Sequence, residues 1–279
     1  MRIARYRYQD AVSFGFVTAN GIVDHAEVPG LIATTVRELL AQGTDSLTSL
    51  EGLPTIPLSD VTLEVPVELG KVLCAGVNFP LHRAEGGLSP DRPQWPVIFS
   101  RFPDSHVASG EPIVKPTVSD LFDYEGELAV VIGKRAHNVP KAEALDYVWG
   151  YAAYNDGSVR DWQMHTPQWV PGKNFFRSGA IGPWIVSKDE TGDINSRVLE
   201  TRVNGEVRQH VLLGEALFSV EELIEYVSTF TPLEPGDIIA AGTPSGVGAA
   251  MDPKGFVRVG DVVEVEVSGI GVLTNTVTE

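Results

Sequence analysis

Asp123-Tyr124-Glu125-Gly126-Glu127-Leu128-Ala129-Val130-Val131-Ile132 is the most informative stretch of the chain. An apolar, β-rich run begins directly after two glutamates spaced by one residue. On an extended strand, residues i and i+2 point to the same face, roughly 6.5–7 Å apart. Two carboxylates then converge beside a buried strand, where unpaired charge is costly. A divalent cation removes that cost, and oxygen-only ligands imply a hard ion: Mg2+, Mn2+ or Ca2+. From Glu-x-Glu alone, an exposed strand end with solvated acids is the stronger alternative.

Asp156 shifts that balance. It ends a second strand-like run, Val148–Tyr154, and precedes Gly157. A carboxylate at a strand terminus can supply a third ligand. Three carboxylates leave about three of six octahedral positions for water and substrate oxygens.

Working outward, the rest of the chain reads as mainly β. Short apolar runs at Val72–Val77, Val97–Phe99, Ile181–Val186 and Asp237–Ala241 lie between Gly and Pro signals. Val262–Val267 and Val272–Val277 flank Gly269-Ile270-Gly271 as a closing hairpin. Ser219 and Glu222 form a capping-box pattern ahead of Leu223, Ile224 and Val227, which predicts a helix. Nearer the N-terminus, Arg2–Tyr8 and Ser13–Thr18 read as strands, Asn20-Gly21 as a hairpin turn and Thr35–Leu40 as a short helix. A proline-spaced connector then marks a boundary, giving a small α/β domain over 1–68 and a larger one over 69–279. The segment from Pro80 to Pro96 is rich in Gly, Pro and charge and suits a surface loop or lid.

Composition narrows the function. The 279 residues are 43 % hydrophobic and carry a net charge of −16. That balance argues against nucleic acid, whose binding needs clustered Lys and Arg. A few local cations can still hold a small carboxylate. No apolar run approaches the roughly 20 residues that span a bilayer. The N-terminus does not read as a signal peptide, and the single cysteine, Cys74, reads as a buried thiol. Together these suit the cytoplasm. Gly242-Thr243-Pro244-Ser245-Gly246-Val247-Gly248 lacks the Gly-Lys-Ser/Thr ending of a phosphate loop.

Four motifs appear in order: EGELAVVIGK at 125–134, YNDGSVRDWQ at 154–163, PGKNF at 171–175 and GTPSGVG at 242–248. Together they resemble the fumarylacetoacetate hydrolase family, in an acylpyruvase-like bacterial form. The resemblance runs from about Lys71 to the C-terminus. It implies an α+β, mainly β fold: a mixed β-roll catalytic domain beside the small N-terminal α/β domain, usually as a homodimer. It places the metal ligands on Glu125, Glu127 and Asp156, with Mg2+ or Mn2+ as the usual ion and Ca2+ in some members. Arg160, Gln163 and Lys173 carry over as polar site residues, and Thr243 as a contact to substrate carboxylate.

His82 and Glu85 are three residues apart, which puts them on one face if the segment is helical. A carboxylate beside an imidazole raises its basicity, which suits a general base. In isolation a surface pair is the simpler reading; in the resemblance, G-x-N-x-x-x-H-x-x-E is the family's water-activating dyad. Many members carry lysine where this chain has Arg101. Arginine prefers bidentate carboxylate binding, so Arg101 is expected as a substrate contact. Of the other histidines, His165 is a candidate to line the site and most are expected at the surface. The aromatic residues at 162, 169, 175 and 176 are equally readable as core or as the wall of an acyl pocket.

The leading expectation is metal-dependent hydrolysis of a carbon–carbon bond in an acylpyruvate-type diketo acid. His82 and Glu85 would activate water, and Lys173, Arg160 and Gln163 would stabilise the developing charge. The same enolate chemistry also allows an oxaloacetate-type decarboxylase, a 2-oxo-diacid isomerase or a 3-deoxy sugar-acid dehydratase. A non-catalytic keto-acid binding protein is a third class.

Overall fold

Residues 1–43 and 49–279 are described by the computed structural model. At its centre, Gly126–Ile132 pairs antiparallel with Val148–Asn155, and both strands are buried along their whole length. The Gly126–Ile132 strand reads as a continuous apolar run because both its faces are covered. Leu128, Val130 and Ile132 pack with Leu199, Val265, Val267 and Leu273. The alternate residues Ala129 and Val131 pack with Phe14, Phe16, Val36, Leu39 and Leu40. This two-residue alternation is that of a strand between two layers. Each large side chain so buried contributes roughly 1.5–3 kcal/mol.

The central pair belongs to a large sheet. Its path runs Gly21–Asp24, Ala11–Thr18, Arg2–Tyr8, Gly179–Ser187, Val148–Asn155, Gly126–Ile132, Ile238–Ala240, Val72–Gly76 and Val97–Arg101. Neighbours on this path are antiparallel except Ile238–Ala240 with Val72–Gly76. A second sheet, Glu206–Leu212, Val198–Val203, Val262–Val267, Gly271–Thr278 and Ile113–Val114, covers one face. The fold is thus mixed α+β and mainly β, a β-roll with short helices packed against it.

The first residues extend the large sheet. Arg2 and Ile3 pair with Val186 and Ile185, so the N-terminal meander is hydrogen-bonded to the rest of the chain. The expected hairpin forms, with Thr18 opposite Gly21, so its turn residues are Ala19 and Asn20, one position earlier than expected. The helix Val36–Gln42 is capped by the Thr35 side chain, which accepts from the Glu38 N–H, and lays Val36, Leu39 and Leu40 on the sheet. The helix Val220–Phe230 carries the expected capping box: Ser219 N donates to Glu222 Oε2 at 2.9 Å, and Glu222 N to Ser219 Oγ at 3.4 Å.

Two features depart from the sequence reading. The Pro80–Pro96 segment, expected as a surface loop or lid, begins with a short helix, Pro80–Glu85, that has proline in its first turn. The hairpin of Val198–Val203 and Glu206–Leu212 was not among the expected strands. Its turn is Asn204-Gly205, with positive φ at both positions, the same dipeptide signal read at Asn20-Gly21.

Candidate metal centre and active site

The hairpin register makes the carboxylate cluster. Gly126 faces Asn155 and Glu127 faces Tyr154, and one step further Asp156 N donates to Glu125 O at 2.8 Å. Asp156 therefore lies across from Glu125, and Glu127 follows two residues along. Glu125, Glu127 and Asp156 are all buried, and each offers an oxygen within 4.8 Å of the others.

Three cations surround them, Lys173 and Arg101 buried and Arg160 half-buried. Lys173 Nζ bridges Glu125 Oε2 at 2.6 Å and Asp156 Oδ2 at 2.7 Å. Arg160 donates to Glu125 Oε1 at 2.5 Å and to Asp123 Oδ2 at 2.9 Å. Arg101 donates to Asp156 Oδ1 at 2.5 Å. Burial alone would push the Glu125 carboxyl up, but Lys173 and Arg160 hold it well below the usual range. Glu127 differs. Among the described residues, its carboxylate accepts one hydrogen bond, from Gly242 N at 2.9 Å, and no cation pairs with it. Burial, then Asp156 and Glu125, push its carboxyl up.

That asymmetry is a test of fit for a metal. Four carboxylates, Asp123, Glu125, Glu127 and Asp156, face three cations, Arg101, Arg160 and Lys173. With all of them ionised, one negative charge is left unmatched. A buried carboxylate without a cation is costly. A divalent ion held by Glu125, Glu127 and Asp156 would supply the missing partner and leave the cluster net positive, which suits an anionic ligand. The donor set is oxygen only, as a hard ion requires.

A cavity of about 460 Å³ opens over this cluster, lined in part by His82, Glu85, Lys173 and Thr243. The His82 and Glu85 side chains share one face of the Pro80–Glu85 helix, with Nδ1 and Oε2 3.3 Å apart. Glu85 Oε1 also accepts from Gly246 N at 2.7 Å, which ties the helix to the glycine-rich loop. With Nδ1–H toward Glu85, Nε2 is the basic nitrogen. The same loop reaches the cluster through Gly242 N, and Gly248 N and Ala249 N donate to Asp123.

Lys173 and Gln163 come from two short helices, Val170–Lys173 and Arg160–Gln163. Gly172 permits their approach: a Cβ there would stand 2.3 Å from Gln163 N. Gln163 Oε1 accepts from Arg160 at 3.1 Å.

Nine of the ten expected site residues line the cavity or belong to its carboxylate cluster. Arg101 is placed differently. It is wholly buried behind Asp156, where its guanidinium also donates to Gly157 O, Ser178 Oγ and Ser105 Oγ. It is absent from the cavity lining, so the expected substrate contact gives way to a contact with a candidate ligand. Its planar fork satisfies several buried acceptors at once, which a lysine would not.

Other residues are redistributed too. His165 packs on Trp162 and does not line the cavity, whereas Trp169 does. Trp162 packs edge-on to Phe175, and Phe176 is exposed. His106, expected at the surface, is buried with Nε2 2.7 Å from the Tyr154 hydroxyl. Burial, then Arg101, push its imidazole down to about 3. Cys74 is buried, and burial pushes its thiol up, away from a nucleophile's range. Asp123 and Gln209 were missed. Asp123 sits in the opening motif, but its role appears only when Arg160 and the loop close on it.

Among the described residues, no helix is long and apolar enough to cross a membrane. Residues 71–278 match the family model described as fumarylacetoacetate (FAA) hydrolase, C-terminal. Oxaloacetate tautomerase FAHD2A, mitochondrial, from Bos taurus is 38 % identical over 265 residues, covering 92 % of this chain and 84 % of that protein. The solved fumarylacetoacetate hydrolase of psychrophilic Exiguobacterium antarcticum superposes with a TM-score of 0.88 at 32 % identity, covering 100 % of this chain and 99 % of that one. Fumarylpyruvate hydrolase from Pseudomonas aeruginosa, solved with Mn2+ and pyruvate, gives a TM-score of 0.69 at 32 % identity over 78 % of this chain and 97 % of that one. The buried carboxylate cluster and the mixed β-roll define an enzyme scaffold with a candidate metal site. The chain belongs to the fumarylacetoacetate hydrolase family.

Proposed function

We propose that this chain interconverts the enol and keto forms of a small 2-oxo diacid of the oxaloacetate type. The observation that carries the reading is one cavity with a His82–Glu85 pair on one wall and the carboxylate cluster beneath it. The bovine relative supports the choice of reaction. Glu125, Glu127 and Asp156 would hold a divalent ion. Such an ion supplies Lewis-acid polarisation of a 2-oxo group. His82 Nε2 would take the enol hydroxyl proton and, as the imidazolium, return a proton to the adjacent carbon, which leaves the imidazole neutral again. Glu85 orients the imidazole and stabilises its charged form. Lys173 and Arg160 place positive charge where the enolate oxygen develops. A homodimer is part of the same proposal.

A second reading, carbon–carbon hydrolysis of an acylpyruvate, has its own support. The cavity also has the apolar walls Phe99, Met164, Trp169 and Leu88, which suit an acyl group. There His82 would deprotonate the attacking water. The P. aeruginosa neighbour supports this reaction class.

The two separate in one assay. Purified protein with Mn2+ or Mg2+ is given enol-oxaloacetate or fumarylpyruvate. Loss of the enol's ultraviolet absorbance without release of pyruvate or carbon dioxide is expected. Cleavage of fumarylpyruvate alone would replace the first reading with the second. Release of carbon dioxide from oxaloacetate would mark a decarboxylase, and turnover of neither substrate would overturn both readings.

A further inference from the structure

Gln209 lies on the hairpin strand Glu206–Leu212 and is 1 % exposed. Its Oε1 accepts from Gly126 N at 2.9 Å. Its Nε2 donates to Pro244 O at 2.9 Å and to Thr243 Oγ1 at 2.8 Å. The amide has one allowed orientation, because Gly126 N–H can only donate and Pro244 C=O can only accept. Gly126 makes this approach possible: a Cβ there would stand 1.9 Å from Thr201 Oγ1 and 3.3 Å from Gln209 Oε1.

The fixed amide has a consequence for Thr243. The hydroxyl oxygen already accepts from Nε2, so its own hydrogen must seek another acceptor. Among the described residues none takes it, and Thr243 lines the cavity. We infer that Gln209 is a positioning residue: it sets the Thr243 hydroxyl as a hydrogen-bond donor aimed into the cavity and ties that donor to the strand bearing Glu125 and Glu127. A hydroxyl free to rotate could present either a lone pair or a hydrogen. Held by Gln209, it presents a hydrogen, which selects an anionic oxygen such as a carboxylate. Gly126 lies between two of the carboxylates, so the distance from donor to cluster is set by one side chain. The inference rests on the reading that the cavity takes an anionic 2-oxo acid.

The test is a double-mutant cycle on the Mn2+-loaded protein, read by calorimetric titration with oxalate. Thr243→Val and Gln209→Met are each expected to weaken oxalate binding about ten- to a hundredfold, as for a lost hydrogen bond to a charged group. The double variant should bind oxalate no more weakly than Thr243→Val. Mn2+ affinity should stay within about threefold of wild type throughout, since no ligand is removed. Unchanged oxalate binding in Gln209→Met, or losses that multiply in the double variant, would overturn the inference. If Gln209→Met does not fold, Gln209→Glu keeps the acceptor for Gly126 and carries the test. Its effect should vanish in a Thr243→Val background, and persistence there would mean simple charge repulsion and overturn the inference. A wild-type protein that binds Mn2+ but not oxalate would instead overturn the functional reading beneath it.

Discussion

The carboxylate hairpin and the Pro80–Glu85 helix are built in opposite ways. The hairpin is buried on both faces, and each of its three acids is positioned by strand register. The helix is one short element with Leu81 exposed, and it is pinned to the glycine-rich loop by the Gly246 N–H on Glu85. The hairpin can hold an ion in one geometry through a whole reaction. On the proposed function, ion and enolate stabilisation fall to the buried hairpin and proton transfer to the helix, and variants in the two should fail differently.

The largest effect is expected in the rigid half. Glu127→Gln removes the one candidate ligand with no cation beside it, and with it much of the reason for an ion to bind. Mn2+ affinity, read by calorimetry, should fall at least about a hundredfold, with activity lost in parallel. An unchanged Mn2+ affinity would remove Glu127 from the ligand set. Lys173→Met should lower turnover about 10²- to 10³-fold, as for loss of an oxyanion-stabilising donor. It should not weaken Mn2+ binding, because it removes a competing cation from Glu125 and Asp156. Steady-state kinetics beside the same titration separates the two effects.

A pH effect should also divide the regions. In the metal-free chain Glu127 is pushed up by burial and by its carboxylate neighbours, so it holds a proton to higher pH than an ordinary glutamate. The ion needs it ionised. Metal binding should therefore release a proton, and affinity should rise with pH until the metal-free carboxyl is ionised, by about tenfold per pH unit per proton released. Titrations in buffers of different ionisation enthalpy measure that proton. Affinity flat from pH 5 to 8 would contradict it.

The smallest effect lies away from both regions. Burial pushes Glu222 up, but the Ser219 N–H, Lys141 and Arg92 outweigh it and hold the carboxyl down at about 2. Its stabilisation is present above the ordinary glutamate range and lost as pH falls toward 2. Glu222→Ala should cost about 1 kcal/mol of stability at neutral pH, the usual worth of a cap, and leave turnover unchanged. Denaturant unfolding checks the first part; a clear loss of turnover would mean that the Arg92 contact serves the lid.

Much of the rigid half was legible in the sequence because local rules govern it. Glu-x-Glu before an apolar run gives two acids on one strand face, and Ser219 with Glu222 gives a helix start. The third acid needed the hairpin register, which 28 intervening residues conceal. Arg101 shows the opposite limit. Its charge and position in the chain fit a substrate contact, and only packing shows it behind Asp156. Gln209 was missed for a simpler reason: the turn signal at Asn204-Gly205 was there, and the strand after it carries the amide. Asp123 was hidden in plain view, since its partners come from residues 160, 248 and 249.

The separation of the two halves is tested most directly with His82→Ala. Mn2+ affinity by calorimetry and turnover of enol-oxaloacetate are measured on the same preparation. The division predicts affinity within about threefold of wild type and turnover lowered at least about 10²-fold, the usual worth of a general base. Turnover near wild type, or a parallel collapse of metal binding, would contradict it.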